Sequence, residues 1–411
     1  MPHDYDLYVG IDWATEAHQV CLLDATGGLL DEQPVAHTGS ALAALADALT
    51  RRVPDVSRIA VAIEVPRGAV VDTLLERGLH VFALNPKQLD RFRDRYTVAG
   101  AKDDRRDARV AADALRTDRA AFRRVHAEDP RLIQLREVSR MHEELAPEHT
   151  RLSNRLRDQL LRFYPQPLGL CPAADEAWLW TLLDQAPTPA AAQRLSPAAL
   201  RALLHTHRIR RFTADALHTA LQAAPLRVAP GAAEAASEHI ALLVPRLRLV
   251  HDQHARCGRR LEALLAALAA PAPGDPREHR DVEILRSLPG VGSVVTATML
   301  AEASQPLAAR EYQTVRAQTG VAPVTRQSGK RASVLMRYAC NHRLRNAMYH
   351  WALNSLRGDA ACRAHYDRLR QRHSHARALR SVADRLLRIL IAMLRAGTLY
   401  DPMRHAAKIP A

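Results

Sequence analysis

At 411 residues the chain is long enough for two or three domains with well-buried cores. It carries 58 Lys and Arg against 44 Asp and Glu, a formal net charge of +14, and residues 326–411 alone hold 18 basic against 4 acidic side chains, which points to a polyanionic partner. Five cysteines (Cys21, Cys171, Cys257, Cys340, Cys362) with no CxxC pair exclude a disulfide scaffold and a zinc site, and with no signal segment or apolar run of about 18 residues the expectation is a soluble, intracellular protein with no membrane span.

Residues 6–12 (DLYVGID) read as a buried strand ending on an acid. Residues 18–24 alternate and lead through Ala25-Thr26-Gly27-Gly28 into residues 29–37, which predicts an antiparallel meander. A helix follows over 40–51, a second buried strand over 58–64 that also ends on an acid, a helix over 68–76 and a third strand over 79–84. Strands alternating with helices after a meander describe an α/β domain of the ribonuclease H type over residues 1–125.

The carboxylates are the informative part of that domain. Asp12 and Glu64 stand at the carboxyl ends of apolar strands, where open α/β sheets place their sites. Asp104 and Asp107 lie three apart at the start of a helix expected to run to about residue 115, hence on one face. Four clustered acids repel unless a dication neutralises them, and oxygen-only ligation suits Mg²⁺ or Mn²⁺. Each acid also has a plain structural use: Asp12 and Glu64 as strand ends, Asp103 and Asp104 as helix caps. Between the strands and that helix, residues 86–96 interleave Lys87, Arg91, Arg93 and Arg95 with Phe92 and Tyr96. That composition suits nucleic-acid backbone with base stacking, and equally a solvated amphipathic helix.

Over residues 126–280, Val138, His142, Leu145, His149, Leu152, Leu156, Gln159 and Phe163 recur at coiled-coil spacing, as do Leu243, Leu247, Val250, His254, Cys257, Leu261 and Leu264. Two such helices separated by an Ala-rich helical insert predict an antiparallel coiled coil, within the chain or as a dimerising arm. Pro147 and Pro245 predict a kink or a late helix start in each. Histidines on such a seam are read as packing or pairing groups.

The region 281–411 opens with Pro289-Gly290-Val291-Gly292 ahead of an apolar helix. This reads either as a helix-hairpin-helix whose backbone N–H groups at Gly290 and Gly292 bind phosphate, or as an ordinary helix connection. Beyond Gly320 comes Thr325-Arg326-Gln327-Ser328-Gly329-Lys330-Arg331. A helix would lose about 1 kcal/mol to Gly329, and a strand gains little from it, so the segment is expected to be an exposed turn. Arg326, Lys330 and Arg331 would hold an anion beside the Ser328 hydroxyl; a loop serine that merely binds backbone is the plainer alternative. Helices then follow to the end of the chain, with His373 and His375 in a connection read as a loop or phosphate contact.

These residues resemble a known family, the DEDD transposases of bacterial insertion sequences, described as bridge-RNA-guided recombinases. The matching motifs are Gly10-Ile11-Asp12, Ile63-Glu64, Asp104-Arg105-Arg106-Asp107-Ala108, Pro289-Gly290-Val291-Gly292 and Ser328-Gly329. The sequence departs from the family at the Asp103-Asp104 doublet and at Cys340-Asn341, where many relatives carry Gly-Asn.

The resemblance implies a RuvC-like amino-terminal domain, a helical coiled-coil middle and a helical carboxyl-terminal transposase domain. It implies Ser328 as the nucleophile on a DNA phosphodiester and Asp12, Glu64, Asp104 and Asp107 as ligands of Mg²⁺ or Mn²⁺ in a composite site assembled between subunits. Donor and target DNA, a structured non-coding guide RNA, a dimer assembling to a tetramer and a nucleoid-associated cytoplasmic location go with it. Two other classes fit part of the sequence: a RuvC-type endonuclease with no covalent serine step, and a non-catalytic architectural binder.

Overall fold

The computed structural model describes residues 5–95, 103–271, 277–329 and 331–403. Contacts divide the chain into two units, Met1–Asp129 and Pro130–Ala411.

In the first unit, the apolar run LYVGID forms β1 (Leu7–Asp12), and β2 (Ala17–Asp24) and β3 (Leu29–Ala36) complete the antiparallel meander. Helix α1 (Gly39–Arg52) is capped by the Thr38 side chain. It leads to β4 (Ile59–Ile63), every residue of which is buried, then α2 (Ala69–Glu76) and β5 (His80–Ala83). Helix α3 (Pro86–Arg93) starts on the side chain of Asn85 with proline at its first turn, and α4 (Asp104–Asp118) carries the acid pair. A short β6 (Arg123–Arg124) pairs with β5, so the first unit extends past residue 125 to the start of the next helix at Pro130.

The sheet order is β3-β2-β1-β4-β5-β6, with β1, β4 and β5 parallel, the arrangement expected of the ribonuclease H type. Leu7, Val9, Ile11, Val61 and Ile63 face α1 and α2; Tyr8, Ala60, Ala62 and Phe82 face α4. Both faces are covered, which is why β4 lacks the polar alternation of a half-exposed strand.

In the second unit, α5 (Pro130–Phe163) and α10 (Ala232–Ala269) are the two seam helices. Contacts of Arg131 with Ala267, Gln134 with Arg260 and His142 with His254 run in opposite directions along the pair, so the coiled coil closes within the chain. Neither helix starts at its proline, contrary to one of the two expectations: α5 runs through Pro147 and α10 through Pro245. Around Pro245, buried Leu243, Val244 and Leu247 supply packing that offsets one lost backbone hydrogen bond. Between them lie α6 (Ala177–Gln185), α7 (Pro189–Ala192), α8 (Pro197–Thr206) and α9 (Ala214–Gln222), whose buried Trp178, Trp180, Leu203 and Leu217 close one end of the coiled coil.

The other end packs on the carboxyl-terminal helices α11 (Asp281–Ser287), α12 (Ser293–Glu302), α13 (Ser304–Ala308) and α14 (Tyr312–Gln318), then α15 (His342–Gly358), α16 (Ala360–Arg370) and α17 (His375–Ala396). Leu135, Leu261 and Leu265 share one core with Met299, Trp351 and Leu387. A polar tie reinforces it: Glu302 accepts from Arg140 at 2.8 Å and from Asn341 at 2.9 Å, while Asn341 also caps α15.

The serine segment differs from the turn expected of it. Residues Val324–Ser328 form β7 and Arg331–Leu335 form β8, an antiparallel hairpin. Gly329, read as a reason against a strand, sits just past β7 with φ of +56°. A two-residue hairpin tip requires such a left-handed backbone.

Candidate active site

Three of the four predicted metal ligands are brought to one side of the sheet. Ile11 pairs with Ile63 across the parallel strands, so Asp12 and Glu64, each the next residue, are neighbours at the strand ends. Alternation puts both on the face that carries Gly10 and Ala62, the face covered by α4. Gly10 is what lets α4 come so near: a Cβ there would lie 1.9 Å from the Ala108 carbonyl oxygen. Asp107, one residue before that contact, is 2% exposed. Asp12 and Glu64 are half-buried and Asp104 is exposed. The Asp103-Asp104 doublet divides its labour, since the Asp103 side chain caps α4 by accepting from Arg105 N at 3.2 Å.

Asp107 has a cation of its own. Arg93 Nη2 donates to its Oδ2 at 3.1 Å, and Arg93 Nε lies 2.8 Å from Oδ1. A buried carboxylate needs such a partner. Arg93, expected on a nucleic-acid face, is thus turned into the site. Of its neighbours, Lys87 and Arg91 are exposed, whereas Arg95 lies over the Phe92 ring and 3.3 Å from Asp118. Among the described residues no three of Asp12, Glu64, Asp104 and Asp107 hold their oxygens within 4.8 Å of one another. The donor set is nonetheless all oxygen, which fits a hard divalent cation such as Mg²⁺ or Mn²⁺.

A residue pair not anticipated from the sequence steadies the chain after Asp12. His18, buried on β2, accepts from Ala14 N at 3.2 Å through Nδ1 and meets His37 Nδ1 at 2.8 Å through Nε2. Burial, and then the neighbouring imidazole, holds His18 below the ordinary histidine range. A histidine at an inward strand position was the available signal.

In the hairpin, Ser328 is the last residue of β7 and lies opposite Arg331; Arg326 lies opposite Ser333. Directly opposed residues share a face, so Ser328, Arg331, Arg326 and Ser333 are together and Thr325, Gln327, Ala332 and Val334 occupy the reverse. All eight are exposed. Lys330 lies outside the described residues.

Gly290 and Gly292 serve different ends. Gly290 has φ of +79°, and a Cβ there would lie 2.4 Å from Ser355 N of α15. Trp351 Nε1 donates to Pro289 O at 3.0 Å beside it, so Gly290 permits close helix packing. Gly292 precedes α12 with open space around it, but Ser293 in the first turn donates to Glu262, which also pairs with Arg286 at 3.2 Å. A protein carboxylate thus stands at the helix start predicted to take phosphate.

One further cluster draws donors within 4.8 Å among the described residues: Cys171, Asp175 and Glu176. Glu176 is occupied by Arg211 at 2.7 Å and Trp178 Nε1 at 3.1 Å, and burial pushes the Cys171 thiol up to about 11. The group is a structural knot.

Residues 9–165 match a family described as Transposase, DEDD_Tnp_IS110, and residues 282–367 match the Transposase IS116/IS110/IS902 family. Over 414 residues the chain is 32% identical to a mini-circle protein of Streptomyces coelicolor named as a transposase for IS117, covering 98% of this chain and 97% of the relative. The chain belongs to the IS110 family of transposases. An IS110 protein of 43.6 kDa from the same organism is 29% identical over 97% of the chain. Protein y4uE of Sinorhizobium fredii, also named as a transposase, is 51% identical over 209 residues, a match spanning 50% of this chain and 58% of the relative. The two IS110-type matches contain, respectively, all four acids and Ser328. No helix among the described residues is long and apolar enough to cross a membrane.

Proposed function

We propose that the protein cuts and rejoins DNA through a covalent bond between Ser328 and a strand end, with Asp12, Glu64, Asp104 and Asp107 as the metal-binding half of the chemistry. The observation that carries this reading is the hairpin face that sets the Ser328 hydroxyl beside Arg331 and Arg326. A hydroxyl next to two guanidinium groups meets a phosphodiester whose negative charge they neutralise.

In the first step the Oγ–P bond forms and one P–O bond of the strand breaks; the departing strand end leaves as a hydroxyl. The serine proton passes to a carboxylate, for which the resemblance offers the acids at the β1 and β4 ends, and from that carboxyl group to the departing oxygen, which leaves as the hydroxyl. Because one phosphoester replaces another, bond energy is retained and the reverse attack by a new strand end rejoins the backbone. A bound Mg²⁺ or Mn²⁺ would supply charge neutralisation at the phosphate oxygens. Until then Arg93 stays paired with Asp107 within its buried setting.

Donor and target DNA are the substrates in this reading. A structured guide RNA and assembly from dimer to tetramer belong to it as well, the RNA supplying sequence by pairing while cations hold backbone. The test is strand exchange on paired donor and target substrates with Ser328→Ala and Asp12→Ala. Each is expected to abolish exchange while nucleic-acid binding changes less than about twofold. A Ser328→Ala protein that still cleaves identifies a metal-dependent endonuclease instead.

A further inference from the structure

We infer that Tyr338, Arg345, Arg377 and Arg380 form a binding site for single-stranded nucleic acid, with a base stacked on the tyrosine and phosphates held by the arginines.

Tyr338 follows β8 and is 74% exposed, an unusual position for a large aromatic ring. Its backbone is fixed all the same. Arg345 Nη2 donates to Tyr338 O at 3.1 Å and to Arg337 O at 2.8 Å, and the Arg345 guanidinium lies 5.8 Å from the ring centroid. The ring is therefore presented, with one face toward a cation and the rest toward solvent. Arg345 Nε is buried and makes no hydrogen bond among the described residues.

Arg377 and Arg380 come from the first two turns of α17, which has no acid in its first turn and whose Ser374 gives no side-chain cap. Cations there oppose the helix dipole, an arrangement that destabilises the free protein and favours a bound anion. Neither arginine has an ion pair among the described residues. Arg380 is half-buried, and burial first, then the like charges of Arg377 and Arg345, push it below the ordinary arginine range. Asp384, one turn on from Arg380 along α17, is committed elsewhere: it accepts from Tyr312 at 2.6 Å and from Arg316 at 2.9 Å. Three guanidinium groups with no ion pair among the described residues call for phosphate. An exposed ring among them selects a strand whose bases are free to stack, since a paired duplex hides its base faces.

The choice of nucleic acid rests on the proposed function, but the test reads binding alone and does not depend on the serine chemistry. Binding of labelled oligo(dT) and oligo(U) of about 12 nucleotides, a length within the span of single-strand grooves, is measured on the full chain beside a duplex of equal length. Tyr338→Ala is expected to weaken single-strand binding by about 5- to 150-fold, the span of one lost base stack, with duplex binding unchanged and Tyr338→Phe equal to wild type. Arg377→Ala with Arg380→Ala is expected to weaken both strands and lower the slope of log affinity against log salt by about 1.4, two single-strand phosphate contacts. The tighter of the two oligonucleotides names the strand as DNA or RNA, and either supports the site. Wild-type single-strand affinity in Tyr338→Ala, equal losses on single strand and duplex, or an unchanged salt slope in the arginine variant would overturn it.

Discussion

Arg93 and Asp107 form an ion pair inside the acid cluster, with Nη2 3.1 Å from Oδ2. The pair holds a carboxylate with 3% of its side chain exposed against a guanidinium with 22% exposed. Removing the arginine takes this cation from a buried carboxylate, a loss of about 3 kcal/mol or more for a fully buried pair and nearer 2 here because Arg93 is partly solvated. Arg93→Ala should therefore unfold at lower temperature than wild type without metal, and Mg²⁺ or Mn²⁺ should recover more of its stability than it adds to wild type. Thermal unfolding of both proteins with chelator and with added metal measures this; equal metal shifts in the two would show that Asp107 takes no part in binding the cation.

Gly10 sets how near α4 comes to β1. A methyl group added at this position would stand only 1.9 Å from Ala108 O, so Gly10→Ala must push the helix away, at a cost of about 2 kcal/mol or more. Titration calorimetry with Mn²⁺ should show weaker binding at least tenfold, because Asp107 moves with the helix. Undiminished affinity would mean that Asp107 is not positioned by this contact.

Much of this architecture can be read from residue order because the signals are local. Runs such as LYVGID and IAVAI announce buried strands, and the acids that end them announce a site; the seam from Val138 to Phe163 announces its partner helix by period alone. The features that escaped depend on register or on tertiary contact. Ser328, Arg326 and Arg331 share a face only because Ser328 pairs with Arg331, and Gly329 looks like a strand breaker until its left-handed backbone is seen to close the hairpin. Arg93 resembles its exposed neighbours in a basic run, but Leu89 anchors α3 and turns that one arginine inward. Glu262 at the start of α12 lies 31 residues from Ser293 in sequence, beyond the reach of any local pattern.

The coiled-coil seam carries histidines that disfavour acid. His142 stacks on His254 with ring centroids 4.0 Å apart, and His149 lies 5.7 Å from His251 and 6.0 Å from Trp180. Burial first, and then neighbouring imidazoles, lowers His142, His149 and His254 below the ordinary value. Their neutral forms are favoured in the folded state, so this stability is fully present above about pH 6.5 and is lost as pH falls through the lowered values. The thermal midpoint should drop on the order of 5 °C between about pH 7.5 and 5.5, and His142→Gln should flatten the drop. A midpoint independent of pH in this window would contradict the assignment.

The hairpin tip makes a conformational demand and no spatial one. Gly329 has φ of +56° and nothing within 4 Å of an added Cβ. Gly329→Asn, which tolerates the left-handed region, should retain most strand-exchange activity, whereas Gly329→Val should lose roughly tenfold or more as about 1–2 kcal/mol of backbone strain displaces Ser328. Rates for the two variants separate shape from bulk: equal losses would show that the left-handed backbone is not what the site requires.

Covalent chemistry at Ser328 is the claim that separates this reading from a metal-dependent nuclease. The direct measurement is to denature the protein after reaction with its donor DNA in Mg²⁺ and map any nucleotide adduct by peptide mass spectrometry. A phosphoester on Ser328 that disappears in both Ser328→Ala and Asp12→Ala is the predicted result. Cleaved DNA with no adduct on the protein, or an adduct on another residue, would contradict it.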